Sequence, residues 1–219
     1  MADIEYFFDP VCPFAWQTSR WMRRVAEHRS FTVDWRFISL RILNEGRDYE
    51  RDFPPGYADG HTRGLELLRV AAAVRESSGN DAIGALYAAY GAVLWDSPDG
   101  LTAPLRTRGD HASTEAVLAG LGFDPALAAA ADDERHDVAI RAETGEAIGR
   151  VGDDVGTPIV TYLPPDGLSF FGPVLSRLPE PDEAVAVWDA VTALAKVSGF
   201  AELKRSQRDP LDLAAFAER

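Results

Sequence analysis

The sequence predicts an α/β fold interrupted by an all-helical insertion, and three observations carry that expectation. A strand, a helix and a second strand follow one another within the first forty residues. About ninety residues, from His61 to about Gly152, then show no strand-like alternation. Strand chemistry returns at 158–171 and is followed by one long helix.

Each element has a local reason. Ile4 to Phe8 is a short apolar and aromatic run of β character, ended by Asp9-Pro10. Phe14, Thr18, Met22, Val25 and Ala26, with Trp21 beside them, fall on one side of a 3.6-residue wheel, which predicts a helix from about Pro13 to Arg29. Phe31, Val33, Trp35, Phe37 and Ser39 alternate with Thr32, Asp34, Arg36 and Ile38, a strand with one apolar face. Such a β-α-β unit closes most readily as a parallel pair with a right-handed crossover. Leu43 to Gly60 is polar, charged and broken by Pro54-Pro55, and reads as a connecting loop.

Helices are expected at 61–77, 81–95, 113–120, 125–131 and 133–150. Ser113 serves as one N-cap, and Asp124 precedes Pro125 at the first helical position of another. Residues 158–163 and 168–171 form a β-hairpin around Pro164-Pro165-Asp166-Gly167, and a last helix runs from about Glu183 to Val197. The tail after Ser206 reads as loosely ordered. The order β-α-β, helices, β-β-α is that of a thioredoxin-like fold with an inserted helical domain. The expected division is 1–56 with 153–219 for the thioredoxin-like domain, and 57–152 for the helical one.

Composition limits the function. The chain has 219 residues and a formal net charge of −13, with no basic run to meet nucleic-acid phosphates. The acidic N-terminus lacks the basic region of a signal peptide, and no stretch approaches the roughly 18 apolar residues of a membrane span. A cytoplasmic protein is expected, without nucleic-acid or membrane partners. Its four histidines show no ligand spacing, and with one cysteine a structural zinc site is not expected. No P-loop, Gly-x-Gly-x-x-Gly or Gly-x-Ser-x-Gly motif supports a bound nucleotide, a tightly held flavin or a serine hydrolase. Trp16, Tyr87, Tyr90 and Trp95 either line a cleft or fill the core, and the core is favoured.

The chemistry centres on Cys12, within FFDPVCPFAW. A thiol at the first turn of a helix faces unpaired N–H groups and the positive end of the helix dipole. A dipole effect of about 1.4 kcal/mol lowers a thiol pKa by about one pH unit, raising the thiolate share at pH 7 from about 3% to about 25%. Pro13 suits the first turn, since its missing N–H is not needed there. Ala15 stands where a dithiol protein places its resolving cysteine, so this chain alone cannot donate a disulfide. Thr157-Pro158, just before a strand, is a candidate cis-proline turn whose main chain would face Cys12 and bond an extended thiol ligand.

FFDPVCPFAW, SLRILNEGRD (39–48), DDVGTPIV (153–160) and FFGPVLSRLP (170–179) together resemble the DsbA-like thioredoxin-fold proteins classed as mycothiol-dependent nitroreductases. The resemblance runs from Ile4 to about Lys204. It implies a cytoplasmic oxidoreductase that uses a low-molecular-weight thiol, mycothiol or glutathione, to reduce nitro-aromatic or disulfide substrates. It also implies Cys12 as the redox residue, Pro13, Thr157 and Pro158 at the thiol cofactor, and Phe14, Asn44 and Tyr57 at the substrate. The oligomeric state stays open, a homodimer included. The rival readings are a kappa-type glutathione transferase or 2-hydroxychromene-2-carboxylate isomerase, in which the active residue only activates a bound thiol, and a non-catalytic binding module.

Overall fold

In the computed structural model, which describes residues 2–96, 109–164 and 166–213, four strands form one sheet in the order β2-β1-β3-β4. Strands β1 (Ile4–Phe8) and β2 (Val33–Phe37) are parallel, joined by helix α1 (Pro13–Ala26). Strands β3 (Ile159–Tyr162) and β4 (Ser169–Phe171) form an antiparallel hairpin, with β3 also antiparallel to β1. Pro165, in the turn of that hairpin, lies outside the described residues.

The alternation of β1 divides its side chains between two layers. Tyr6 and Phe8 enter the main core with Trp16, Trp21 and Met22 of α1, while Phe7 joins a smaller cluster with Ile38, Ile159 and Ala147. Ala147 belongs to helix α7 (Asp137–Val151), which covers that second layer. Charges rim the layer: Arg36 of β2 bonds Glu146 at 2.7 Å and Glu5 at 3.3 Å, and Arg150 pairs with both of these carboxylates. Helix α8 (Pro181–Leu194) closes the first layer, where Ala184 O accepts from the Trp21 indole at 3.0 Å.

Two segments depart from the sequence expectation. The polar stretch after β2 is not one loop: α2 (Leu40–Leu43) and α3 (Tyr49–Asp52) are short helices capped by Ser39 and Asp48. Helix α4 then runs over Tyr57–Ser78, four residues earlier than its apolar pattern suggests. Each short helix is a single turn, too brief to show a period, so only its cap could have marked it. The tail after Ser206 has no helix or strand through Leu213, yet it is tied down. Asp212 N–H bonds Ser176 O at 2.7 Å and Leu213 is buried.

The remaining helices are α5 (Asp81–Gly91), which continues as a π-helical turn over Ala92–Asp96, and α6 (His111–Gly120). Two 3-10 turns at Pro125–Asp132 and Glu134–His136 lead into α7. Helix α6 is capped by Asp110, whose carboxylate accepts from Ser113 N–H at 2.9 Å; Ser113 is thus the capped residue and not the cap. A carboxylate at the N-cap also meets the helix dipole, which a hydroxyl does not.

The helical segment presses on the rest through glycines. A Cβ on Gly64 of α4 would lie 2.5 Å from Asp9 Oδ1, one on Gly84 2.6 Å from the Trp35 indole nitrogen, and one on Gly91 2.1 Å from the Trp16 ring. Only a hydrogen fits at these points. Gly91→Ala is therefore expected to cost about 1–3 kcal/mol through overpacking. Gly145→Ala, at an exposed position of α7 with nothing within 4 Å, is expected to gain about 0.5–1 kcal/mol. Thermal melts of the two variants, with Tm moving in opposite directions, check both.

Candidate active site

Cys12 is the N-cap of α1 and Pro13 its first helical residue. Its Sγ accepts from Ala15 N–H at 3.4 Å, as the helix-start argument requires. The thiol also donates to the carbonyl oxygen of Thr157 at 3.3 Å. The Thr157-Pro158 bond is cis, and the Thr157 hydroxyl donates to Phe7 O at 3.3 Å. The first turn of α1 and Thr157, two residues before β3, thus meet at the sulfur, and Thr157 in turn bonds the end of β1.

The ionisation state overturns the dipole expectation. Cys12 is only 6% exposed, and burial pushes its thiol up to about 12. The Ala15 N–H opposes that rise, the charge of Asp9 adds to it, and the Phe14 N–H opposes it. Desolvation of an anion outweighs one helix terminus here, since burial alone can move a group by several pH units and the dipole by about one. The covering atoms come from distant parts of the chain, which is why the local pattern did not reveal them. Gly64 sits over Asp9 and Val11, and the Trp95 indole donates to Pro10 O at 3.0 Å.

The other sequence candidates separate. Phe14 is half-buried against the core, with the Arg208 guanidinium 5.5 Å from its ring centroid. Asn44 caps α2 and turns its amide back onto Leu40 O at 2.8 Å, which gives it a structural contact. Tyr57 is 41% exposed at the start of α4 and stacks on Phe53 with centroids 6.0 Å apart. Trp16, Tyr87, Tyr90 and Trp95 are all in the core.

Two features escaped the sequence reading. Asp9, at the end of β1, is fully buried beside the cysteine turn. A carboxylate set among FF and PV in an otherwise apolar stretch was the available signal. His61, on α4, sits among Tyr49, Phe53 and Tyr57, with its Nδ1 2.9 Å from the Tyr49 hydroxyl. Burial, and then the nearby Arg41 charge, push its imidazole down to about 4. Among the described residues no group of three or more His, Cys, Asp or Glu could hold a metal, and no helix is long and apolar enough to cross a membrane.

A cysteine capping a helix, set against the residue before a cis-proline and carried on a β-α-β / β-β-α sheet, defines a thiol oxidoreductase of the DsbA-like thioredoxin-fold class. The chain belongs to the Rv2466c-like family, described as mycothiol-dependent nitroreductase Rv2466c, whose model matches residues 11–205. It is 31% identical over 228 residues to an uncharacterized protein, Rv2286c, of Mycobacterium tuberculosis H37Rv, covering all of this chain and 88% of that one. Among solved structures, the probable DsbA oxidoreductase SCO1869 of Streptomyces coelicolor matches with a TM-score of 0.55 at 15% identity, over 97% of this chain and 98% of that one. A 2-hydroxychromene-2-carboxylate isomerase matches at 0.54 and 17% identity, over 87% and 95%. The cytosolic disulfide reductase DsbM of Pseudomonas aeruginosa matches at 0.51 and 18%, over 88% and 99%. At these identities the structures speak for the fold. The family makes the chain a thiol-dependent oxidoreductase.

Two outcomes are expected. In the unliganded protein at pH 7, iodoacetamide should modify Cys12 on the order of a thousandfold more slowly than a free thiol of pKa 9.0, the ratio set by a pKa near 12. Stopped alkylation followed by mass spectrometry measures it. His61, neutral in the fold, contributes stability that is full above its unfolded value of 6.5 and is lost as pH falls towards 4. A His61 C2-proton NMR titration should give its midpoint near 4.

Proposed function

We propose that this chain is a monothiol oxidoreductase in which Cys12 exchanges with a low-molecular-weight thiol and serves an apolar, aromatic or disulfide substrate. The observation that carries this reading is the contact of the Cys12 thiol with the Thr157 carbonyl. An extended thiol ligand laid along the Thr157-Pro158 turn competes for that carbonyl and frees the sulfur. Mycothiol is the cofactor the family favours; glutathione is the alternative with the same cysteinyl chemistry. The division into a thioredoxin-like part (1–56 and 153–219) and a helical part (57–152) sets the cleft between them, with Phe14, Asn44 and Tyr57 as the substrate-side residues. Using Asn44 for substrate requires its amide to leave Leu40 O.

The exchange balances without a second cysteine. The Cys12 thiolate attacks one sulfur of an oxidised substrate or small-thiol disulfide, and the other sulfur leaves as a thiolate that takes up a proton. A reduced small thiol, deprotonated, then attacks the mixed disulfide and returns the Cys12 thiolate. Ala15 makes that external thiol obligatory. For a nitro group, each two-electron step oxidises two thiols to one disulfide, and the first yields a nitroso compound and water.

The burial of Cys12 as a neutral thiol also favours a second reading. Its S–H would donate to the thiolate of a bound cofactor and never leave the protein as a disulfide partner. Incubation with oxidised small thiol, followed by mass spectrometry, separates the two. A reducible adduct on Cys12, with thiol-dependent turnover reduced at least about a hundredfold in Cys12→Ser, is expected from the exchange reading. No adduct, with full activity in Cys12→Ser, would leave only the activating role.

A further inference from the structure

The chain that follows α8 crosses back over α1. Phe200 packs on Phe170 of β4 with ring centroids 5.7 Å apart, and residues 201–210 are exposed. The far end is fixed where Leu213 enters the core and the buried Gln17 amide of α1 donates to Asp212 O at 3.5 Å. Residues 206–213 lie beyond those that the family model matches. Held at both ends, this strap brings the Arg208 guanidinium to the ring of Phe14, two residues after Cys12. The other cations nearby are paired. Lys204 meets Glu202 at 3.9 Å and Arg205 meets Asp209 at 3.7 Å. Arg20 of α1, which also reaches Gln17 Oε1, meets Asp96 at 3.7 Å. Among the described residues Arg208 forms no ion pair, in a chain whose net charge is −13.

We propose that Arg208 is a specificity-determining residue of this site and selects aromatic substrates that carry a carboxylate. The inference deepens the function proposed above and rests on Phe14 lying at the substrate. A guanidinium over an accessible ring face is held only weakly, whereas its planar fork matches a carboxylate with two parallel charge-assisted N–H···O bonds. A substrate ring laid against Phe14 takes the guanidinium's place on that face, and Arg208 then closes on the carboxylate at the edge of the incoming ring. Charge makes the choice selective. The surplus of acids disfavours an anion over most of the surface, and an unpaired cation beside the cysteine reverses that locally. The two anchors of the strap matter because an arginine on a loose tail would have to be ordered at the moment of binding, and this one is already delivered to the ring.

The test is equilibrium binding of 4-nitrobenzoate and of its neutral counterpart 4-nitrobenzamide to the full chain, by isothermal titration calorimetry at low salt, which needs neither thiol nor turnover. The wild type should hold the carboxylate at least about tenfold more tightly than the amide. Arg208→Gln should bring the two affinities within about twofold by weakening the carboxylate alone, and Arg208→Lys should restore part of the difference. A strap that served only to cover the site would move both ligands together. Phe14→Ala should weaken both about tenfold, which places them at the cysteine end of α1. Equal affinities in the wild type, no binding of 4-nitrobenzoate, a preference that survives Arg208→Gln, or affinities unchanged in Phe14→Ala would each overturn the proposal. Absence of thiol-dependent turnover with the preference intact would count against the proposed function alone. Equal affinities in an active enzyme would do the reverse.

Discussion

Everything at this site depends on the enclosure of the four-residue turn from Asp9 to Cys12. The turn is held from three directions. Trp95 bonds Pro10, Leu40 N–H bonds the Asp9 carboxylate, and the Cys12 thiol reaches Thr157. Each contact spans tens of residues of chain, so the sheet, the cis-proline segment and the helical segment must all be assembled before the sulfur has an environment. The same enclosure decides its chemistry. Water is excluded, and the favourable field of a helix terminus is smaller than the cost of removing an anion from solvent.

The fold was largely legible because its signals are local. IEYFF, the wheel of α1 and the alternation around Trp35 each need only a few neighbours to be read, and together they defined the parallel pair. The single-turn helices at Leu40–Leu43 and Tyr49–Asp52 were not legible, because one turn has no period. At α6 two residues three positions apart could cap, and the carboxylate at Asp110 holds the position in place of Ser113.

The geometry around Cys12 was legible and its ionisation state was not. Cys12, Pro13, Thr157 and Pro158 come together as the spacing suggested, since a strand end, a helix start and a strand-opening proline are all readable in one dimension. Gly64 and Trp95, more than fifty residues away, close over the turn that leads into the thiol, and no local pattern carries that information. Asn44 and Tyr57 show the same limit. One is turned inward on its own helix and the other stands in an aromatic group with Phe53 and His61, neither of which follows from residue type.

The glycines at 64, 84 and 91 have a consequence for how such chains can be recombined. Each gives up its side chain where a helix touches, in turn, a carboxylate, one indole and another indole. A foreign helical insert spliced onto this sheet would match in length and amphipathic pattern and still fail to seat, unless it brought bare backbone to the same three places. The two halves of the chain are in that sense a lock cut for its own key, and exchange between lineages must carry the notches along with the helices.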